Sequence, residues 1–184
     1  MGKIRVHEFV SLDGSFEDPS FTFEYGWTDA MTRRMAELTE GSDAILLGRT
    51  TFEGFAPAWR DRTAEDDPGA PFFNETVKYV VSSTLRDPEQ QWGNSQAIGG
   101  YDPAVIRGLK AKHEGIYVSG SGTLVRALLA DGLVDELHLL SYPVVLGSGA
   151  RLFPEGTDRL PLSLLSADRY DNGVLHLVYA SCQS

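Results

Sequence analysis

From Lys3 to Leu12 the apolar residues Ile4, Val6 and Val10 partly alternate with Arg5, His7 and Ser11, a two-residue period that predicts a first β-strand. The Asp and Gly of Ser11-Leu12-Asp13-Gly14 supply the turn that ends it. Phe16, Phe21, Phe23 and Tyr25 then cluster around Pro19 without periodicity. They read as a loop whose aromatics either wall a flat apolar ligand or cap the core. The spacing next becomes helical. Met31, Met35 and Leu38 share one face, Thr28 and Asp29 form the N-cap and first turn, and Gly41 stops the helix. Asp43 to Gly48 is a continuous apolar run, the pattern of a strand buried on both faces. Arg49 to Phe55 reads as a short helix ending near Pro57, and residues 61–71 as a charged surface loop. Residues 78–83 form another buried strand closed by Ser82 and Ser83, and Ser95 to Ile98 a further one. Asp102-Pro103 opens a helix through Val105, Ile106 and Leu109.

The chain is organised around the stretch from Gly115 to Leu129. Ile116 and Val118 run into Gly120-Ser121-Gly122, after which Leu124, Ala127, Leu128 and Leu129 recur at helical spacing to about Ala130. A glycine turn lets backbone approach a ligand closely, and the free N–H groups of a new helix suit a phosphate. The same glycines also serve a plain tight turn. Leu133 to Leu146 is strand-rich and broken at Pro143, and two last strands, around 162–170 and 174–180, flank the hairpin signal Asp171-Asn172-Gly173. The order predicts a three-layer α/β/α domain over residues 1–184, with a mostly parallel mixed sheet and an antiparallel C-terminal hairpin.

Composition narrows the function. A formal net charge of -10 argues against a nucleic-acid surface or a polybasic membrane anchor. The single Cys182 cannot form an internal disulfide, and the four histidines are scattered, so no metal cluster is expected. No run reaches the roughly 18 apolar residues that span a bilayer, and a reducing, cytoplasmic home is expected.

In parallel sheets ligands sit at the carboxyl ends of strands, where the chain order leaves a crevice. Three strand ends carry polar or glycine-rich groups: Gly48-Arg49-Thr50, Ser82-Ser83 and Gly120-Ser121-Gly122-Thr123. The glycine turn suits a pyrophosphate, and Arg49 offers a planar, permanently charged fork to a phosphate. Ser82 and Ser83 offer hydroxyls to a ribose 2′-phosphate or an adenosine. One arginine and two hydroxyls favour NADP over NAD, whose free 2′-hydroxyl usually meets a carboxylate. Singly, Arg49 also reads as a surface ion pair and the serines as a plain strand end.

Gly48-Arg49-Thr50-Thr51-Phe52-Glu53, Val81-Ser82-Ser83 and Val118-Ser119-Gly120-Ser121-Gly122 together resemble, in order and spacing, segments of dihydrofolate reductases. Ser11-Leu12-Asp13-Gly14, Val134-Asp135-Glu136-Leu137 and Pro143 before Leu146-Gly147-Ser148-Gly149 resemble more closely the reductase domain of bacterial riboflavin biosynthesis and its stand-alone relatives. The resemblance implies a dihydrofolate-reductase-like fold and NADPH as hydride donor. It places Arg49, Thr50 and Thr51 at the cofactor phosphates, Ser82 and Ser83 at the adenosine, and Gly120 to Thr123 at the pyrophosphate. It also implies a homodimer, and puts Asp13 near the substrate.

The chain departs from the dihydrofolate reductases on the first helix. The position where those enzymes carry a carboxylate falls near Thr32, with Asp29 almost one turn earlier. Asp13, Glu24 and Asp29 are the candidate proton donors, while Asp29 also reads as a favourable helix-start charge. His7 and His138 read as hydrogen-bonded strand residues, and Tyr25 and Trp27 either stack on a flat ring or pack the core. The expected function is NADPH-dependent reduction of a small flat heterocycle, pterin- or pyrimidine-like, or of a carbonyl compound. The alternative is a non-catalytic NADP-binding or sensing module.

Overall fold

The computed structural model describes residues 1–181, so Cys182 lies outside it. The elements run β1 (Lys3–Ser11), a 3-10 helix (Pro19–Tyr25), α1 (Asp29–Glu40), β2 (Ala44–Gly48), α2 (Arg49–Trp59), α3 (Ala70–Glu75), β3 (Val77–Val81) and α4 (Pro88–Gln91). They continue β4 (Ser95–Ala97), α5 (Pro103–Lys112), β5 (Gly115–Val118), α6 (Gly122–Ala130), β6 (Glu136–Tyr142), β7 (Leu162–Arg169) and β8 (Leu175–Ser181). All eight strands join one sheet in the order β4-β3-β2-β5-β1-β6-β8-β7. The first six positions pair in parallel, and β8 and β7 close the sheet as an antiparallel hairpin.

Burial explains the order. Every residue of β2 and β5 is buried, as continuous apolar strands in the middle of a parallel sheet must be. Ile4, Val6 and Val10 of β1 pack with Ile106 and Leu109 of α5 and Leu124, Val125 and Leu128 of α6 on one face. Ile45 and Leu47 of β2 meet Leu38 of α1, Phe52 and Ala56 of α2 and Phe73 of α3 on the other. The result is three layers, α/β/α.

Local differences from the sequence pattern have physical causes. Residues 15–26 contain the 3-10 helix, which Pro19 opens at its first position and the Asp18 carboxylate caps by accepting from the Ser20 N–H. Helix α2 runs past Pro57 to Trp59, because a proline in the last turn removes a single bond and Trp59 stacks on Phe73 at 4.2 Å. Helix α3 begins inside the stretch read as loop, and the buried Lys78 caps its end by donating to the carbonyls of Phe73, Asn74 and Thr76. Burial lowers the Lys78 ammonium to about 8.

The chain reverses direction across the sheet at β5. It lays β1, crosses to β2, steps outward to β3 and β4, then returns to insert β5 between β2 and β1. This switch point fixes where a crevice opens.

Candidate functional site

At the carboxyl ends of β2 and β5 the backbone closes tightly. The Gly48 N–H donates to the Gly120 carbonyl at 3.3 Å, and the Gly120–Ser121 peptide is cis. A Cβ on Gly48 would lie 2.2 Å from Ser121 Oγ and 3.0 Å from the Ser121 backbone nitrogen, so the two ends meet only because Gly48 has none. Gly120 has φ of 72°, a conformation glycine adopts freely.

Helix α2 starts immediately after Gly48, and α6 immediately after Ser121. Neither has a side-chain cap, whereas Thr28 caps α1 and Asp102 caps α5 with hydrogen bonds to backbone N–H groups. Two helices therefore bring uncapped N-termini, with their partial positive charge, to one crevice. Thr50 and Thr51 stand in the first turn of α2 and Thr123 in that of α6. Thr51 Oγ1 abuts Gly120, and Phe16, from the aromatic segment, lies across Gly122.

Arg49 and Ser82 are brought together through Thr84, which the sequence pattern did not single out. The Arg49 guanidinium donates to Thr84 Oγ1 at 2.8 Å and to Glu53 Oε1 at 2.7 Å. Ser82 Oγ accepts from the Thr84 and Leu85 N–H groups at 3.2 and 3.0 Å. Ser83 is exposed beside them. Arg49 thus carries the half-exposed ion pair of its surface reading while standing at the crevice mouth. Because the strands run β3-β2-β5-β1, the groups line up across the sheet as Ser82 and Thr84, Arg49, then Gly120 to Thr123.

The carboxylates expected as proton donors have varied surroundings. Asp13 accepts from Ser11 Oγ at 2.7 Å, from the Leu146 N–H at 3.1 Å and from the Gly147 N–H at 3.0 Å, tying the turn after β1 to the loop after β6. The Ser11 hydroxyl and these N–H groups hold its carboxyl down at about 2, so it is ionised at neutral pH and poorly suited to give up a proton. Glu24 is exposed on the 3-10 helix. Asp29 lies in a different cleft of about 370 Å³, shared with Arg33, Arg169, Tyr170 and Asp171. Of the aromatic pair, Tyr25 packs 5.4 Å from Tyr142 and donates to the Pro143 carbonyl. Trp27 stays 48% exposed with its ring edge on Phe9.

Glu8 is a carboxyl group that reaches the crevice. It sits on β1 in phase with Ile4, Val6 and Val10, at the level where β5 has already turned at Gly120. Only 7% of it is exposed, and Oε1 has no hydrogen-bond partner among the described residues. Burial pushes its carboxyl up to about 8, against a hydrogen bond from the Gly120 backbone, so the acid is mostly neutral at pH 7. The signal in the sequence was a charge at an apolar phase of a strand.

On the opposite sheet face the buried histidines form a chain. Glu136 is ionised and accepts only, so His138 Nε2 donates to it at 3.2 Å. His138 Nδ1 then accepts from His176 Nε2 at 3.1 Å, and His176 Nδ1 accepts from the Tyr170 hydroxyl at 3.2 Å. His7 meets the Tyr117 hydroxyl at 3.3 Å. Burial lowers all three imidazoles, His7 to about 3 and His176 to about 4. Both strand histidines of the sequence pattern are thus hydrogen-bonded.

No group of three or more metal-ligating side chains occurs among the described residues, and none of their helices is long and apolar enough to cross a membrane. The chain is 28% identical over 183 residues to the uncharacterised Bacillus subtilis protein YyaP, covering 92% of this chain and 90% of that one. A crystal structure of a Shewanella sp. PV-4 protein named for riboflavin biosynthesis superposes with a TM-score of 0.81 at 20% identity, over 98% of this chain and 99% of that one. A pyrimidine reductase-like protein from Corynebacterium diphtheriae gives 0.69 at 16% identity, over 100% and 93%. These likenesses agree with the dihydrofolate-reductase-like α/β/α architecture. Residues 2–176 match the RibD C-terminal domain, and the chain belongs to that family of reductase domains.

Proposed function

We propose that the protein is an NADPH-dependent reductase that transfers hydride to a small, flat, pyrimidine- or pterin-like heterocycle or a carbonyl compound. The observation that carries this is the meeting of two uncapped helix N-termini at Gly48 and Gly120-Ser121. That arrangement suits a diphosphate: backbone donors, two helix dipoles, and the hydroxyls of Ser121 and Thr51 beside the glycines. Arg49, with Thr84, Ser82 and Ser83 beside it, takes the 2′-phosphate and adenosine. Gly48, Thr50 and Thr51 at the start of α2, and Gly120, Ser121, Gly122 and Thr123 at the start of α6, take the pyrophosphate.

Bound NADPH supplies the hydride, so the chain needs no nucleophile. Its own residues hold the reactants face to face and keep water out. A pyrimidine-like substrate is supported by family membership and by the name of the Corynebacterium relative. We place the protein in the cytoplasm and, from Leu164 and Leu165 exposed on the edge strand β7, as a homodimer. The second reading, an NADP-binding or sensing module, is favoured by the contacts of the expected donors: Asp13 is taken up by Ser11 and the Leu146 and Gly147 amides, and Asp29 lines a separate cleft.

Calorimetric titration with NADPH and NADH tests the proposal. NADPH binds more tightly than NADH, and Arg49→Ala weakens NADPH by on the order of tenfold, erasing the preference. Absence of binding by either nucleotide to folded protein overturns it. Binding without turnover across a panel of pyrimidines, pterins and carbonyl compounds selects the second reading.

A further inference from the structure

Glu8 is buried beside Gly120 and Thr51 with an unpartnered oxygen, an arrangement that costs stability unless something else uses it. The strand order says what would. Ser82 and Thr84 follow β3, Arg49 follows β2, the glycine turn follows β5, and Glu8 stands on β1. A dinucleotide with its adenosine phosphate at Arg49 and its pyrophosphate at the α2 and α6 termini has its other end at β1. That span is three inter-strand steps, about 14 Å.

We propose that Glu8 senses the charge of the nicotinamide ring: it keeps its proton beside the neutral ring of NADPH and releases it to solvent beside the cationic ring of NADP+. The inference rests on the NADPH reading of the crevice. A carboxylate in a desolvated site attracts a cation strongly and a neutral ring hardly at all, so the oxidised cofactor compensates ionisation of Glu8 and the reduced one does not. The surrounding side chains offer no such compensation. From β5 the Tyr117 phenol is itself pushed up, by burial first and by the Glu8 charge in addition. The neighbours on the other elements are Gly120 of the β5–α6 turn, which has both Glu8 and Thr51 of α2 against it, and Leu139 paired on β6, none of them ionisable. Among the described residues no cation contributes to its ionisation.

The test is calorimetry of the whole protein with NADP+ and NADPH at pH 7, each in two buffers of different ionisation enthalpy, which counts protons exchanged on binding. NADP+ binding releases a proton that NADPH binding does not, and the difference vanishes in Glu8→Gln. That variant keeps the shape and neutrality of the acid but cannot ionise, so its affinity for NADP+ relative to NADPH falls by about tenfold, the advantage that near-complete ionisation of a mostly neutral acid gives the oxidised cofactor at pH 7. 2′-Phospho-ADP-ribose, which has no nicotinamide, gives the same proton count with both proteins. Equal counts for NADP+ and NADPH, or a difference that survives in Glu8→Gln, overturn the role of Glu8 while leaving the cofactor reading intact. If neither nucleotide binds the parent protein, the cofactor reading falls and this inference falls with it.

Discussion

His7 and Glu8 are neighbours on one strand, both buried, and they belong to opposite kinds of site. His7 faces the layer in which Tyr117 meets His7, Tyr170 gives to His176, His176 to His138 and His138 to Glu136. Glu8 faces the crevice, where one of its oxygens meets no partner among the described residues. The two groups are alike in burial and differ in satisfaction, although the Tyr142 hydroxyl, on the histidine face, also meets no partner among the described residues. A buried polar network whose members all find partners fixes the packing of the strands that carry them. A buried polar atom left without one marks a place where the fold alone does not complete the structure.

The largest loss is expected on the satisfied side. His176→Leu strands both His138 Nδ1 and the Tyr170 hydroxyl, at a cost of about 3 kcal/mol in urea unfolding, and leaves NADPH affinity unchanged because the layer lies on the other face of the sheet. Glu8→Gln moves stability the other way at pH 7, because folding no longer has to protonate a carboxylate that is ionised in the unfolded chain, a gain on the order of 3 kcal/mol. A loss from Glu8→Gln as large as that from His176→Leu would erase the distinction and make Glu8 part of the scaffold.

The pH dependence of stability separates the two regions next, because their shifts have opposite consequences. Burial lowers His7 in the folded chain to about 3, so below its ordinary value near 6.5 the unfolded chain takes up a proton that the folded one refuses. Stability therefore falls on acidification, by up to about 1.4 kcal/mol per pH unit from this residue, and His176 adds in the same direction. Burial raises Glu8 from 4.5 to about 8, so above 4.5 the folded chain holds a proton the unfolded one has lost. Its contribution falls as pH rises and levels off above about 8. At pH 6.5 the histidine slope has fallen to half and by about pH 7.5 it is nearly gone, while between pH 6.5 and 8 the loss from Glu8 amounts to about 1.7 kcal/mol. Urea titrations show a maximum near neutrality and a decline above it in the parent protein, whereas Glu8→Gln, freed of the slope that opposes the histidines above pH 4.5, has a steeper acid limb and rises to a plateau.

Most of the fold was legible because its parts are locally consistent. β2 and β5 are continuous apolar runs, α1 and α5 carry recognisable caps, and Asp171-Asn172-Gly173 joins β7 to β8. What escaped was short or tertiary. α3 and α4 have 6 and 4 residues, too few to show a period, and α3 is held by Lys78 from the next strand. The crevice was legible in its glycines, whose close approach leaves a mark in composition. Thr84 escaped because its role depends on Arg49 reaching 35 residues along the chain. Glu8 escaped because acids were sought at turns and helix starts, where solvent makes them common, and not at an apolar strand position. There a carboxyl is costly, and its presence is the more informative for that.

Asp13 gives the smallest effect and the sharpest control. It resembles a site residue by motif, but its contacts are those of the satisfied class: Ser11 and two backbone N–H groups across a loop closure. Asp13→Asn weakens the acceptor for the Leu146 and Gly147 amides and leaves the crevice alone. Hydrogen exchange at those two amides is then expected to quicken, while NADPH affinity stays as it was. Because its folded value of about 2 lies below the ordinary 3.8, whatever the aspartate contributes is present above 3.8 and lost as pH falls towards 2, so the change in exchange is to be measured near neutrality. A loss of NADPH binding with no change in exchange would reverse the assignment. The turn after β1 would then belong to the crevice, and the division between satisfied and unsatisfied buried groups would no longer separate scaffold from site.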